Sequence, residues 1–144
     1  MELEPIKRAG LAAAYKGAMV LRARFGRLLE IRKKDVTDLV TDADLQSEKV
    51  ILETILEQFP DHGILAEESG RQAGSNGCQW IIDPLDGTTN FAHRVGIFAI
   101  SIAFFKNREA LFGLVLNPLS GELFSAVRGL GAVSYTHLTL PTII

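Results

Sequence analysis

The order of helical and strand-like segments limits the possible folds of this chain more than any other feature. Residues 3–25 repeat small and apolar side chains at three-to-four spacing, which predicts a closely packed first helix. A second helix is predicted from about residue 42 to residue 58. Residues 97–105, 110–116 and 123–127 then alternate with turn-forming residues and predict an antiparallel meander. Two helices followed by adjacent strands favour α+β layers over a doubly wound parallel sheet.

Two further apolar segments each end in carboxylates. Residues 63–66 precede Glu67, and residues 79–82 precede Asp83 and then Asp86. A type I turn would explain the Asp, Pro and Gly of the second segment separately, but not why acids follow two successive strands. Carboxylates that converge on one point repel each other unless a cation lies between them. Oxygen ligands without His or Cys favour Mg²⁺ or Mn²⁺ over zinc.

The residues after Asp86 are suited to an anion. Gly87 allows the backbone to approach a ligand closely, and Thr88 opens a predicted short helix that ends near His93. Amide groups at the start of a helix bind phosphate, so a cation beside this segment predicts phosphoryl chemistry. The D-x-x-D-G-T spacing is one residue longer than the D-x-D-G-T box of haloacid-dehalogenase phosphatases. That box also follows the first strand of a doubly wound sheet, so this class is excluded.

A fourth acidic segment begins the second predicted helix. Thr41 with Asp44 three residues later fits a capping box, which predicts that Asp44 caps this helix. The same carboxylate could serve the cation site if the start of the helix faces it.

Composition excludes several classes of function. The formal net charge of −2 predicts no nucleic-acid partner. We find no run of about 18 apolar residues for a membrane span and no secretory signal, which predicts a soluble cytoplasmic protein. The single Cys78 cannot form an internal disulfide.

The acidic segments together resemble a known family. Residues 80–91 closely resemble the signature of the inositol monophosphatase family, which are Mg²⁺-dependent, lithium-sensitive phosphatases. Residues 67–69 and 38–44 resemble two other segments of that family in the same order. The resemblance covers residues 3 to about 132 and implies the N-terminal lobe of a layered α/β sandwich of the inositol monophosphatase and fructose-bisphosphatase type. That lobe, residues 1–132, has two long helices against an antiparallel sheet, whereas residues 133–144 are predicted to be a truncation or a foreign tail.

The resemblance also implies a role for each candidate residue. It implies that Glu67, Asp83 and Asp86 are metal ligands, together with the backbone carbonyl of Leu85. Glu67 and Thr88 would orient the attacking water.

The phosphate and the outer part of the site have implied residues as well. The amides of Gly87 and Thr88 would hold the phosphate. Asp44 would serve a weakly bound metal or hydrogen-bond to Thr88. A basic residue on a mobile loop before the second helix aligns with Lys33 or Lys34, with Lys33 the better match.

The implied reaction is hydrolysis of inositol monophosphate by a metal-activated water, with two ions ~3.5–4 Å apart and no phosphoenzyme. Related enzymes that act on 3′-phosphoadenosine nucleotides, fructose bisphosphate or histidinol phosphate share the pattern and stay open as alternatives. Family members run to nearly twice this length, and their second lobe supplies a further metal-binding Asp and most specificity residues. A non-catalytic fragment is therefore the remaining alternative. The full-length form is expected to be a homodimer.

Overall fold

Two long helices pack against one face of a seven-stranded sheet. This arrangement is seen in a computed structural model, which describes residues 1–25, 36–67 and 69–135, without the side chains of 36–39 and 41. The helices are α1 (Glu4–Phe25), α2 (Val36–Gln58) and the short α3 (Thr88–Ala92). The strands are β1 (Gly63–Ala66), β2 (Gly70–Gln72), β3 (Cys78–Asp86), β4 (Ala99–Lys106), β5 (Glu109–Leu116), β6 (Leu123–Val127) and β7 (Gly131–Tyr135).

The sheet is mixed, with the strand order β2-β1-β3-β4-β5-β6-β7. From β3 to β7 every neighbouring pair is antiparallel, which confirms the predicted meander. The pair β1–β3 is parallel, with Ala66 opposite Ile82. The predicted α+β fold is therefore confirmed, with one parallel pair that the periodicity of the sequence does not reveal.

Small residues on α1 allow the helices to approach each other and the sheet. A side chain at Gly17 would begin 2.9 Å from both Ser47 Oγ and Ile51 Cδ1 on α2. At Gly10 it would begin 2.7 Å from Phe112 Cε2 on β5. The glycines of α1 are thus required by close packing, although glycine weakens a helix by roughly 1 kcal/mol relative to alanine.

The second helix begins earlier than predicted. It starts at Val36, so residues 41–44 lie inside α2 and the predicted capping box is wrong. Asp44 is 5% exposed, which is unlike a cap at an open helix end. The apolar positions between residues 36 and 40 continue the helical pattern, and the preference of Thr and Asp for caps concealed this continuation.

The strand that carries the acidic signature is longer than predicted. The sequence predicts a strand that ends at Ile82 and a turn at Pro84, but β3 continues to Asp86. One extra residue is accommodated by a bulge, since Asp83 pairs with Ser101 and Asp86 pairs with Ala99. Proline lacks an N–H group and is tolerated at such bulges.

Two exposed strands were not predicted as strands. Residues 70–72, predicted as part of a loop, form β2 at one edge of the sheet. Residues 131–135 form β7 at the other edge and pair with β6. The predicted tail thus begins within β7, and its residues 136–144 lie outside the described part of the chain. The boundary at residue 132 stays a prediction.

The core lies between the helices and the sheet. Buried side chains alternate along each central strand, and they include Trp80, Ile82, Ile100, Ile102, Phe104, Phe112, Leu114 and Leu116. The opposite face of the sheet, called here the open face, exposes Leu65, Ile81, Val115 and Phe124 by 39–48%. Among the described helices, none is long and apolar enough to cross a membrane.

A buried histidine joins β3 to the loop before β1. The indole of Trp80 donates a hydrogen bond of 3.0 Å to Nδ1 of His62, which also stacks on Phe59 at 4.6 Å. Burial, and secondarily the charge of Lys106, lowers the pKa of His62 below its ordinary value of 6.5, against a smaller opposing effect of Asp61. Nδ1 can accept this hydrogen bond only while it carries no proton.

We expect the free energy of unfolding to fall as the pH is lowered through and below 6.5. The unfolded chain takes up a proton at His62 at a higher pH than the folded chain, so acid favours unfolding. Urea denaturation between pH 5 and pH 8 measures this slope. His62→Gln keeps a hydrogen-bond acceptor without titrating, and it should reduce the slope. An unchanged slope in this variant would contradict the role given to His62.

Candidate metal and phosphate site

The ends of β1 and β3 bring two acidic residues to the same edge of the sheet. Because Ala66 lies opposite Ile82 in a parallel pair, Glu67 and Asp83 follow at neighbouring positions. Glu67 is exposed, and Asp83 is half-buried. In the described residues no group of three or more His, Cys, Asp and Glu side chains is close enough to hold a metal ion. The structure therefore shows a shared edge rather than a closed carboxylate cluster.

The bulge in β3 arranges the polar atoms of the signature. The amide of Leu85 donates to Oδ1 of Asp83 at 3.2 Å, a hydrogen bond that spans Pro84 within the bulge. Leu85 is buried, whereas the side chain of Asp86 is exposed. Burial raises the pKa of Asp83, and the charge of Asp86 raises it further, against the lowering effect of the Leu85 amide. Two carboxylates on one bulge thus repel each other when both are ionised.

We expect Asp83→Asn to raise the melting temperature of the chain at neutral pH in the presence of a chelator. The folded pKa of Asp83 lies above its ordinary value of 3.8, so the folded state loses stability as the pH rises through that interval. Asparagine keeps the shape and an oxygen acceptor for the Leu85 amide without the charge. Thermal unfolding followed by circular dichroism measures the shift, which should shrink as the pH approaches 3.8. A lower melting temperature at neutral pH would contradict this assignment.

Helix α2 supports the bulge from the core side. Oγ of Ser47 donates a buried hydrogen bond of 2.9 Å to the carbonyl oxygen of Pro84. Glu48, only 3% exposed, accepts a 2.9 Å hydrogen bond from the amide of Ser69 and another from its hydroxyl. Asp44 lies on the same helix face, one turn before Ser47 and Glu48. The helix thus fixes the turn after β1 and the bulge of β3 relative to each other.

Sequence reasoning missed Ser47 and Glu48. The available signal was their spacing from Asp44, three and four residues along a helix. The capping-box interpretation obscured this signal. It placed Asp44 in the first turn of the helix and did not predict which side of the helix faces the sheet.

The predicted phosphate segment follows the bulge directly. Gly87 has φ 92° and ψ 41°, a left-handed conformation that favours glycine. A Cβ at this position would lie 3.3 Å from both the carbonyl oxygen of Ile97 and Cα of Phe98. The chain then enters α3 with Thr88 exposed, and the amide of Phe91 donates to the carbonyl oxygen of Gly87 at 3.0 Å. The sharp turn predicted at Pro84 therefore falls at Gly87.

One candidate position, and one neighbour of another, fall outside the described residues. Lys33, with its alternative Lys34, lies between the two described ranges that hold α1 and α2. Glu68 is a single undescribed position within the acidic turn after β1.

The chemistry of the donor atoms predicted for this edge suits a hard divalent cation. Carboxylate oxygens of Glu67, Asp83 and Asp86 and the carbonyl oxygen of Leu85 are the kinds of ligand that Mg²⁺ or Mn²⁺ prefers. Burial, and then the charge of Asp86, raises the pKa of Asp83, and a bound cation would favour the ionised carboxylate against both effects.

The fold and this edge together suit a particular chemistry. Acids at adjacent strand ends, followed by a glycine turn into the start of a helix, are groups that can hold a cation beside an anion. Comparison with known sequences agrees, since the chain belongs to the inositol monophosphatase family, whose sequence profile matches residues 2–142. The resemblance seen in the signature is therefore confirmed.

Individual relatives support the same assignment. The chain is 41% identical to the Nus factor SuhB of Pasteurella multocida, over 90% of this chain and 50% of that protein. It is 40% identical to the inositol-1-monophosphatase of Rhizobium meliloti, over 83% of this chain and 46% of that protein. The crystal structure of the extragenic suppressor protein SuhB from Bartonella henselae matches with a TM-score of 0.82 and 35% identity, over 91% of this chain and 51% of that one. The chain spans about half the length of the relatives it matches.

Proposed function

We propose that the protein is a Mg²⁺-dependent, lithium-sensitive phosphomonoesterase that hydrolyses inositol monophosphate, with Mn²⁺ as a substitute ion. The observation that carries this proposal is the bulge of β3, which sets Asp83, Leu85 and Asp86 directly before the Gly87 turn. The inositol ester is supported by a relative of 40% identity that is named inositol-1-monophosphatase.

Each residue of the candidate site has a proposed role. When bound, Mg²⁺ would supply positive charge that stabilises the phosphoryl group during hydrolysis. Asp83, Asp86 and Glu67 would hold it with the carbonyl of Leu85. We assign the remaining roles to Thr88 and Glu67 as groups that orient water, to the amides of Gly87 and Thr88 as phosphate ligands, and to Asp44 as the outer carboxylate.

The wider properties of the protein are proposals of the same kind. A net charge of −2 supports a protein without a nucleic-acid partner. We propose that it acts in the cytoplasm without a membrane partner. We propose a homodimer for the full-length form.

Phosphate release from inositol 1-phosphate, with Mg²⁺ or with a chelator, tests the proposed function. We expect release that requires the metal and that exceeds release from 3′-phosphoadenosine nucleotides, fructose bisphosphate and histidinol phosphate. Release that is equal in the chelator would contradict the proposal, and so would a preference for one of the other esters.

A role as a Nus factor is the second candidate. It is supported by relatives of 38–41% identity that carry that name. Complementation of a suhB deletion with wild type and Asp86→Asn separates the two candidates. Rescue by both proteins would show a role independent of the metal site, whereas rescue by wild type alone would tie it to phosphatase activity.

A further inference from the structure

Ser47 and Thr54 are buried hydroxyl residues of α2 that use their hydroxyl groups differently. Thr54 donates from Oγ1 to the carbonyl oxygen of Val50 at 2.7 Å, the bond that a hydroxyl on a helix commonly makes four residues back. Ser47 donates instead to the carbonyl oxygen of Pro84 at 2.9 Å, across to β3. The hydroxyl of Ser47 therefore links the helix to the bulge.

The peptide unit between Pro84 and Leu85 is held from both sides. Its carbonyl oxygen accepts the hydrogen bond from Ser47 at 2.9 Å, and its N–H group donates to Oδ1 of Asp83 at 3.2 Å. A peptide unit is planar, so a rotation that breaks one of these bonds misaligns the other. A donor to the carbonyl also polarises the unit and strengthens its N–H group as a donor. Ser47 therefore influences both the direction and the strength of the hydrogen bond that Asp83 receives.

The first helix packs against the hydroxyl of Ser47. A Cβ on Gly17 would lie 2.9 Å from Oγ of Ser47 and 3.0 Å from Cδ1 of Ile100 on β4. A side chain at this position of α1 would therefore press on the hydroxyl. Pro84 is buried as well, so bulk water does not compete for its carbonyl oxygen. The hydrogen bond thus belongs to the packed core that joins both helices to the bulge.

We propose that Ser47 is a positioning residue, which holds the Pro84–Leu85 peptide so that Asp83 is oriented for a divalent cation before the ion binds. This inference rests on the proposed function, in which Asp83 and the carbonyl of Leu85 are ligands. Loss of a hydrogen-bond partner of a ligating group commonly lowers metal affinity by ~10- to 100-fold. The physical reason is that a ligand already held in place loses less conformational freedom on binding. Ser47 acts in this way from the core, without touching the ion.

Binding of Mn²⁺, measured by electron paramagnetic resonance of the free ion, tests the positioning role. We expect Ser47→Ala to raise the Kd for Mn²⁺ by ~10-fold. Thr54→Val is the matched control, because it removes a buried hydroxyl from the same helix but breaks only a bond within α2. This control should bind Mn²⁺ as tightly as wild type. An unchanged Kd in Ser47→Ala, or equal weakening in the two variants, would overturn the inference.

The amide of Leu85 reports on the same link without any metal. In a chelator, hydrogen exchange followed by NMR should become ~5-fold faster at Leu85 in Ser47→Ala, relative to the amides of β5, a factor that corresponds to about one hydrogen bond. Thr54→Val should leave this relative rate unchanged. An unchanged relative rate at Leu85 in Ser47→Ala would contradict the link through the peptide and overturn the inference.

Neither measurement involves a phosphate ester, so the inference and the proposed function can fail separately. If Ser47→Ala weakens Mn²⁺ binding and frees the Leu85 amide but wild type hydrolyses no inositol 1-phosphate, the proposed function fails and the role of Ser47 stands. If wild type hydrolyses the ester with Mg²⁺ but Ser47→Ala binds Mn²⁺ as tightly as wild type, the role of Ser47 fails and the proposed function stands.

Discussion

Replacement of Asp86 by Asn is expected to reduce Mg²⁺-dependent phosphate release by ~100-fold or more, the magnitude seen when one electrostatic group of an active site is removed. Asp86 is exposed at the end of β3, so its carboxylate has no structural task in the core. Its charge reaches Asp83, whose pKa it raises after the larger effect of burial. The substitution should therefore remove a metal ligand without loss of fold.

The measurement is the rate of phosphate release from inositol 1-phosphate over a range of Mg²⁺ concentrations. Glu53→Gln removes an exposed carboxylate of α2 and should leave the rate unchanged. The melting temperature of Asp86→Asn should equal or exceed that of wild type in a chelator, because one like charge beside Asp83 is lost. A variant that retains activity would exclude Asp86 as a ligand.

Replacement of Trp80 by Ala is expected to cost about 3–5 kcal/mol of unfolding free energy, the usual cost of removing a large aromatic side chain from a core. Trp80 is fully buried and contacts Phe104 with ring centroids 4.9 Å apart. It also supplies the hydrogen bond to Nδ1 of His62. The cost is a large part of the ~5–15 kcal/mol that stabilises a typical domain.

Urea denaturation followed by circular dichroism measures this cost, since the chain has one Trp and the variant loses it as a probe. Trp80→Phe is the matched control. It keeps an aromatic ring but leaves His62 without its donor, so about 1–3 kcal/mol should be lost. If Trp80→Ala costs less than Trp80→Phe, Trp80 does not have the packing role described above.

Much of the fold could be predicted because its helices and central strands have strong periodicity. The strand at 123–127 and the end of the second helix at residue 58 agree with the predicted bounds. The start of α2 could not be placed, because Thr41 and Asp44 favour helix caps locally while the packing of the helix on the sheet overrides that preference. Strands β2 and β7 escaped prediction because they are exposed edge strands without an alternating apolar pattern.

Only part of the candidate site could be predicted from the sequence. Acids after two apolar segments indicate a shared strand edge, and the parallel pairing of β1 with β3 accounts for it. The bulge at Pro84 was not predictable from the sequence. Pro, Asp and Gly are as common in turns as at bulges, and only the pairing of β3 with β4 distinguishes a bulge from a turn.

Binding of Mn²⁺ to the chain, measured by electron paramagnetic resonance of the free ion, tests most directly whether the strand-end carboxylates form a metal site. Wild type should remove Mn²⁺ from the free pool, and Mg²⁺ should displace it. Asp83→Asn and Asp86→Asn should each abolish this binding, while Glu53→Gln should not affect it. Equal Mn²⁺ binding by wild type and by both Asp variants would contradict the account, because the metal would then lie elsewhere.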